Sequence, residues 1–146
     1  MVRRLSERAQ AVAFVSVLVA AIAGLYATAQ VMQPAAVPVV AVHSPRLEVI
    51  GSGWTIQYAP NRTTNNTAFG LLMEASAVLA FPVQYQMYEI PKGVFVLGIN
   101  GSTNGDGGRY WQYWVNGVYG VVAADHQGLR DGDSVTWRYL VPQEGS

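Results

Sequence analysis

The chain has 146 residues, no cysteine, only 12% charged residues and a formal net charge of zero. The absence of cysteine excludes a disulfide framework, a thiol nucleophile and any Cys-ligated zinc or iron–sulfur centre. Fifteen glycines and eight tyrosines point to a β-rich fold with many turns. Beyond about residue 45 the chain is mildly acidic and carries no basic run or stripe, so nucleic-acid binding has no footprint.

The N-terminus reads MVRRLSERAQ, with Arg3, Arg4 and Arg8 ahead of an uncharged apolar run from Ala11 to Ala27. Basic residues stay on the cytoplasmic side of a membrane, so the C-terminal part of the chain is expected outside the cytoplasm. Two readings fit. The run extended to Met32 reaches the length of a spanning helix, giving a membrane anchor over residues 11–32. Ala27-Thr28-Ala29 is also an A-x-A site, and cleavage after Ala29 would release a secreted domain. A basic leader, an apolar helix and a β-domain is also the plan of pilin-like subunits.

Residues 33–45, QPAAVPVVAVHSP, carry three prolines among small apolar residues. That composition favours extended, polyproline-like chain with no core of its own, and predicts a stalk in which His43 is solvated.

The remainder, 46–142, reads as one domain. Arg46–Ile50 and Trp54–Ala59 are expected strands, the second alternating with Trp54, Ile56 and Tyr58 on one face. PNRTTNNT at 60–67 is a polar loop whose last residues suit a helix N-cap. The helix is expected from Ala68 to Leu79, burying Phe69, Leu72 and Met73 with Leu79 on the same stripe, Ser76 interrupting it, and Pro82 as the stop. Strands come next at Val83–Tyr88, Gly93–Ile99 and Arg109–Val115. An Asn116-Gly117 hairpin turn leads to a partner strand from Val118, and Ser134–Val141 closes the order. One helix on one face of a mixed sheet is an α+β arrangement.

The segment YWQYWVNGVYG at 110–120 holds five aromatic residues. Alternation puts Trp111, Tyr113 and Val115 on one face and Tyr110, Gln112 and Trp114 on the other. With the first set on the core, Tyr110, Gln112 and Trp114 are the candidate ligand-binding residues. They would form an accessible aromatic platform with a glutamine to orient a ring, a sugar or a protein partner.

Through YWQYWVNGVYGVVAADHQGLRDGDSVTWRY the chain resembles the transcobalamin-like C-terminal domain family, small extracellular domains of otherwise unknown function. The resemblance rests on Tyr110-Trp111, Asn116-Gly117, Ala124-Asp125, Gly132-Asp133 and Trp137, with Ile99-Asn100-Gly101 ahead of them. It implies a β-grasp fold over most of 46–141, and a binding role. In the vitamin B12 carriers of that family the small domain closes over one side of the corrinoid and a larger helical domain holds the other. No such helical domain is present in these residues, so corrinoid binding would need a separate partner.

Other chemistry is thinly represented. Ser102, Asn104, Asp106 and Gly107 match the start of an EF-hand loop, but its twelfth position is Tyr113, where a bidentate Glu is required. Asp125-His126 near Asp131 and Asp133 is the one acid–base cluster, and it lies in turn sequence. There is no G-x-S-x-G or H-E-x-x-H, and two histidines make a poor zinc site. Asn61, Asn65 and Asn100 head N-x-S/T sequons whose use depends on a source that glycosylates. The reading is a non-enzymatic, extracytoplasmic binding module without metal or cofactor, its partners being the membrane and an unidentified extracellular ligand or protein. A structural surface subunit of a filament or envelope layer is the competing class.

Overall fold

The computed structural model describes residues 7–31 and 35–142, in two compact units divided after Gln33. Arg3, Arg4, Met32, Gln33 and Pro34 lie outside the described residues, and with them part of the expected leader, membrane segment and stalk.

The first unit is helix α1, Glu7–Val31. Its stretch Gln10–Thr28 spans 19 residues at a mean hydropathy of 2.2, long and apolar enough to cross a membrane, a test that a signal sequence also passes. Apolar side chains such as Phe14 and Leu25 stand exposed. Its serine and threonine hydroxyls bond within the helix: Ser16 Oγ donates to Val12 O at 2.8 Å and Thr28 Oγ1 to Leu25 O at 2.9 Å. Hydroxyls bonded to their own helix do not oppose an apolar surrounding.

The second unit is α+β. Strands β1 (Val42–His43), β2 (Arg46–Ile50), β3 (Thr55–Tyr58) and β4 (Arg62–Thr63) precede helix α2 (Ala68–Leu79). Then come β5 (Val83–Glu89), β6 (Lys92–Ile99), β7 (Ser102–Thr103), β8 (Tyr110–Val115), β9 (Val118–Tyr119) and β10 (Ser134–Leu140). The single mixed sheet expected from sequence is divided among the described residues. A five-stranded sheet has the order β3-β2-β10-β8-β9, a three-stranded one β5-β6-β7, and β1 pairs with β4. β2 and β10 run parallel; the other pairs are antiparallel.

Helix α2 begins where the sequence indicated. Thr67 is the N-cap, and its hydroxyl accepts from Gly70 N at 2.9 Å. Its buried stripe differs from the one expected: Ala68, Leu71, Leu72 and Ala75 face the core, at the spacing i, i+3, i+4, i+7. Leu72 is buried as expected, Phe69 and Met73 are half-buried, and Leu79 is exposed. The two alanines explain the rotation, since they let the helix approach the sheet closely. The helix stops before Pro82: Ala80 adopts a left-handed conformation at φ 56°. Ser76, which breaks the stripe, closes this end by donating from Oγ to Phe81 O at 2.6 Å.

The expected stalk is a second correction. From Ala35 to Pro45 the chain lies along the domain, and Val42 is 1% exposed within the core. The run has no core of its own, but the domain supplies partners. Asn66 Nδ2 donates to Pro38 O at 2.9 Å, and β1 pairs with β4. Asp131 Oδ1 accepts from His43 N at 2.8 Å and lies 3.3 Å from the His43 ring. These bonds hold the Asp131 carboxyl below the usual range, the His43 N–H contributing most. His43, expected to be merely solvated, therefore ties the segment down.

Candidate functional site

The aromatic strand β8 takes the expected register. Trp111 and Tyr113 are buried, while Tyr110 is 41% exposed and Gln112 and Trp114 are half-buried. On the inner face Trp111 pairs with Tyr139 at 5.1 Å between ring centroids, and Tyr113 with Trp137 at 5.2 Å. Both are cross-strand partners, β8 to β10.

The outer platform is partly occupied by the protein itself. The Arg138 guanidinium sits 5.2 Å over the Trp114 ring, and Tyr119 meets that ring edge-on at 5.5 Å. Gln112 Nε2 donates to Leu140 O at 3.3 Å. Tyr110, Gln112 and Trp114 thus share a face as expected, with Trp114 stacked and Gln112 already bonded.

A larger recess lies elsewhere. A cleft of about 580 Å³ is lined by Gly93–Val96 of β6, Trp111–Tyr113 of β8, Tyr119 of β9, the 120–124 loop and Trp137. Of the three platform residues, only Gln112 reaches it. Its surroundings include Tyr88, Tyr119 and Val122, all exposed, and Val121, 87% exposed. Apolar lining with few polar groups is the usual make-up of small-molecule sites.

Two devices hold the cleft open. At one end the loop crosses from β8 to β6: Gly120 N donates to Tyr113 O at 2.8 Å, and Tyr113 OH to Val122 O at 2.6 Å. Burial, joined by the charge of Asp125, pushes the Tyr113 phenol up to about 12. The loop reaches β6 where Ala123 lies against Gly93, a position with no room for a Cβ. There Asp125 Oδ1 accepts from Val94 N at 2.9 Å.

At the other end Asn104 joins the two strands through one side chain. Its Nδ2 donates to Val96 O and its Oδ1 accepts from Trp111 N, each at 2.8 Å. Asn104 belongs to the EF-hand-like stretch, and here its carboxamide is committed to the backbone. Among the described residues no group of three His, Asp or Glu gathers as a metal site.

Asp125 and His126 do come together, with Oδ2 3.6 Å from Nε2, and His126 Nδ1 lies 3.4 Å from Ala35 O. His126 Nε2 is buried without a hydrogen-bond partner, as is Trp137 Nε1 at the cleft. Glu74 of α2 is the other convergent carboxylate, accepting from Tyr58, Thr63 and Asn65. Burial works to raise its pKa, but those three bonds outweigh it and hold it below the ordinary value. The sequon residue Asn65 is therefore engaged in binding the loop to the helix.

The fold and cleft define a small α+β domain with an aromatic-lined recess beside a short hairpin. The chain belongs to the family described as a domain of unknown function, DUF4430, whose pattern matches residues 65–140. Haptocorrin in complex with Cbi is similar in structure, with a TM-score of 0.57 and 16% identity over 70% of this chain. This chain spans about a quarter of haptocorrin, 26% of its length. A Ruminococcus gnavus protein, named for a conjectured metal-binding role, has a TM-score of 0.51 at 17% identity. That match covers 71% of this chain and 99% of the other. At these identities the likeness is one of fold alone. No curated protein matches the sequence.

Proposed function

We propose that this protein is a non-enzymatic binding module held outside the cytoplasm by α1, and that the cleft between β6 and β8 is its ligand site. The observation that carries the reading is the cleft itself: about 580 Å³ with Trp111, Tyr113 and Trp137 in its lining. Such rings offer large contact area to a planar or apolar group. The fold shared with haptocorrin supports a binding role without naming the ligand.

The platform Tyr110, Gln112 and Trp114 is a weaker candidate, because Arg138 and Leu140 already engage two of its members. Indole titrated against the full chain in lipid nanodiscs tests the choice. Val121→Asp leaves the core untouched and is expected to weaken indole binding severalfold, whereas Tyr110→Ala is expected to leave it unchanged. The opposite pattern would move the site to the platform. Tethering is tested separately by the mature N-terminus: Arg3 and Arg4 are retained if α1 is an anchor and lost if the chain begins at Gln30.

A further inference from the structure

Of the buried aromatic rings in the cleft wall, Trp111, Tyr113 and Trp137, two have their polar atoms committed inside the protein. Trp111 Nε1 donates to Ser102 O at 2.8 Å, and Tyr113 OH to Val122 O at 2.6 Å. Trp137 differs. The residue is 3% exposed, and its Nε1, which can only donate, is buried without an acceptor. Buried polar groups are nearly always paired, so an orphan donor on a ring that walls a recess calls for a partner from outside the chain. This N–H has already lost its water. An acceptor that meets it therefore gains a hydrogen bond with no further desolvation of the donor.

The rest of the lining says what carries the acceptor. Val94, Val96 and Ala124 make it apolar, and the rings of Trp111 and Tyr113 favour contact with a flat group. Among the described residues the lining holds one charged side chain, Lys92, and that residue is exposed. An ionised ligand group in the buried part of the cleft would lack a partner, so the acceptor is neutral. Because Nε1 is closed to solvent, the acceptor also has to stand out from the edge of its ring, as a carbonyl oxygen does. We infer that the cleft takes a planar, uncharged ring system bearing an exocyclic carbonyl, whose oxygen accepts from Trp137 Nε1–H. This rests on the cleft being the ligand site and adds the group by which Trp137 selects its occupant. Apolar sites commonly fix orientation through one or a few placed polar groups of this kind.

The test uses the ¹⁵N-labelled full chain in nanodiscs and two probes of nearly the same shape, 1-indanone and indane, of which only the first has a carbonyl. Both are expected to perturb the Trp111 indole N–H signal saturably and alike, since that group keeps its bond to Ser102 O. At Trp137 1-indanone is expected to move the indole N–H signal further downfield than indane does. Trp137→Phe removes the donor and is expected to weaken 1-indanone about fivefold more than indane, the worth of roughly one hydrogen bond. Should the variant not fold, the spectra of the native chain decide alone. Equal Trp137 shifts with the two probes, or equal losses in a folded variant, would overturn carbonyl recognition while the cleft reading stands. No effect of either probe at Trp111 and Trp137 would overturn both.

Discussion

Gly120 lies against the face of Tyr113: a Cβ at residue 120 would stand 2.1 Å from Cζ of the tyrosine ring. The ring lies against the loop at that point and its hydroxyl reaches on to Val122 O. One missing side chain thus sets both the course of the loop and the wall of the cleft.

Gly120→Ala is accordingly expected to displace the Tyr113 ring or the loop and to destabilise the domain by about 1–3 kcal/mol, as overpacking does. Chemical denaturation measures the loss. Gly117, in the adjacent turn at φ 78°, has open space around it. Its alanine variant suffers from backbone strain alone and keeps the Tyr113 ring signals in place.

Helix α2 makes a second contrast. Leu71 and Leu72 are fully buried, so replacing either by alanine should remove about 2–5 kcal/mol. Leu79→Ala, at an exposed position, should stay within about 0.5 kcal/mol. Equal losses at Leu72 and Leu79 would restore the stripe expected from sequence.

Much of the fold was legible from periodicity. Strands with period-two alternation, such as β8 and β10, took the expected faces because each has one side on the core. The helix stripe was misread because Leu71, Leu72 and Met73 are consecutive, and small alanines carry no weight in an apolar pattern although they set how near the helix sits. The segment before β2 looked like free chain because its partners Asn66, His126 and Asp131 are distant in sequence. The cleft was hidden for the same reason. Its walls come from strands of two different sheets, and its bridge, Asn104, stands in a glycine-rich turn that gives no local sign of joining them.

Alkaline pH should weaken the fold through Tyr113. The folded-state pKa of Tyr113, about 12, lies above its ordinary value of 10.0, so the neutral phenol is the form that folding favours. Its contribution to stability is complete below pH about 10 and is lost as pH rises towards about 12. Denaturant midpoints measured across that window should fall for the native chain. Tyr58, also raised to about 12, by burial and then by its bond to the Glu74 carboxylate, contributes in the same direction. A Tyr113→Phe variant should start lower and fall less steeply, and an unchanged slope would mean that Tyr113 has no part in the alkaline loss.

The most direct measurement of where ligand binds is the set of indole N–H signals from the four tryptophans, followed while indole is added to the full chain in nanodiscs. Trp111 and Trp137 line the cleft, whereas Trp114 lies on the outer face beneath Arg138. Binding in the cleft predicts saturable shifts at Trp111 and Trp137 with Trp114 unmoved. Shifts at Trp114 alone would contradict it and place the site on the outer platform.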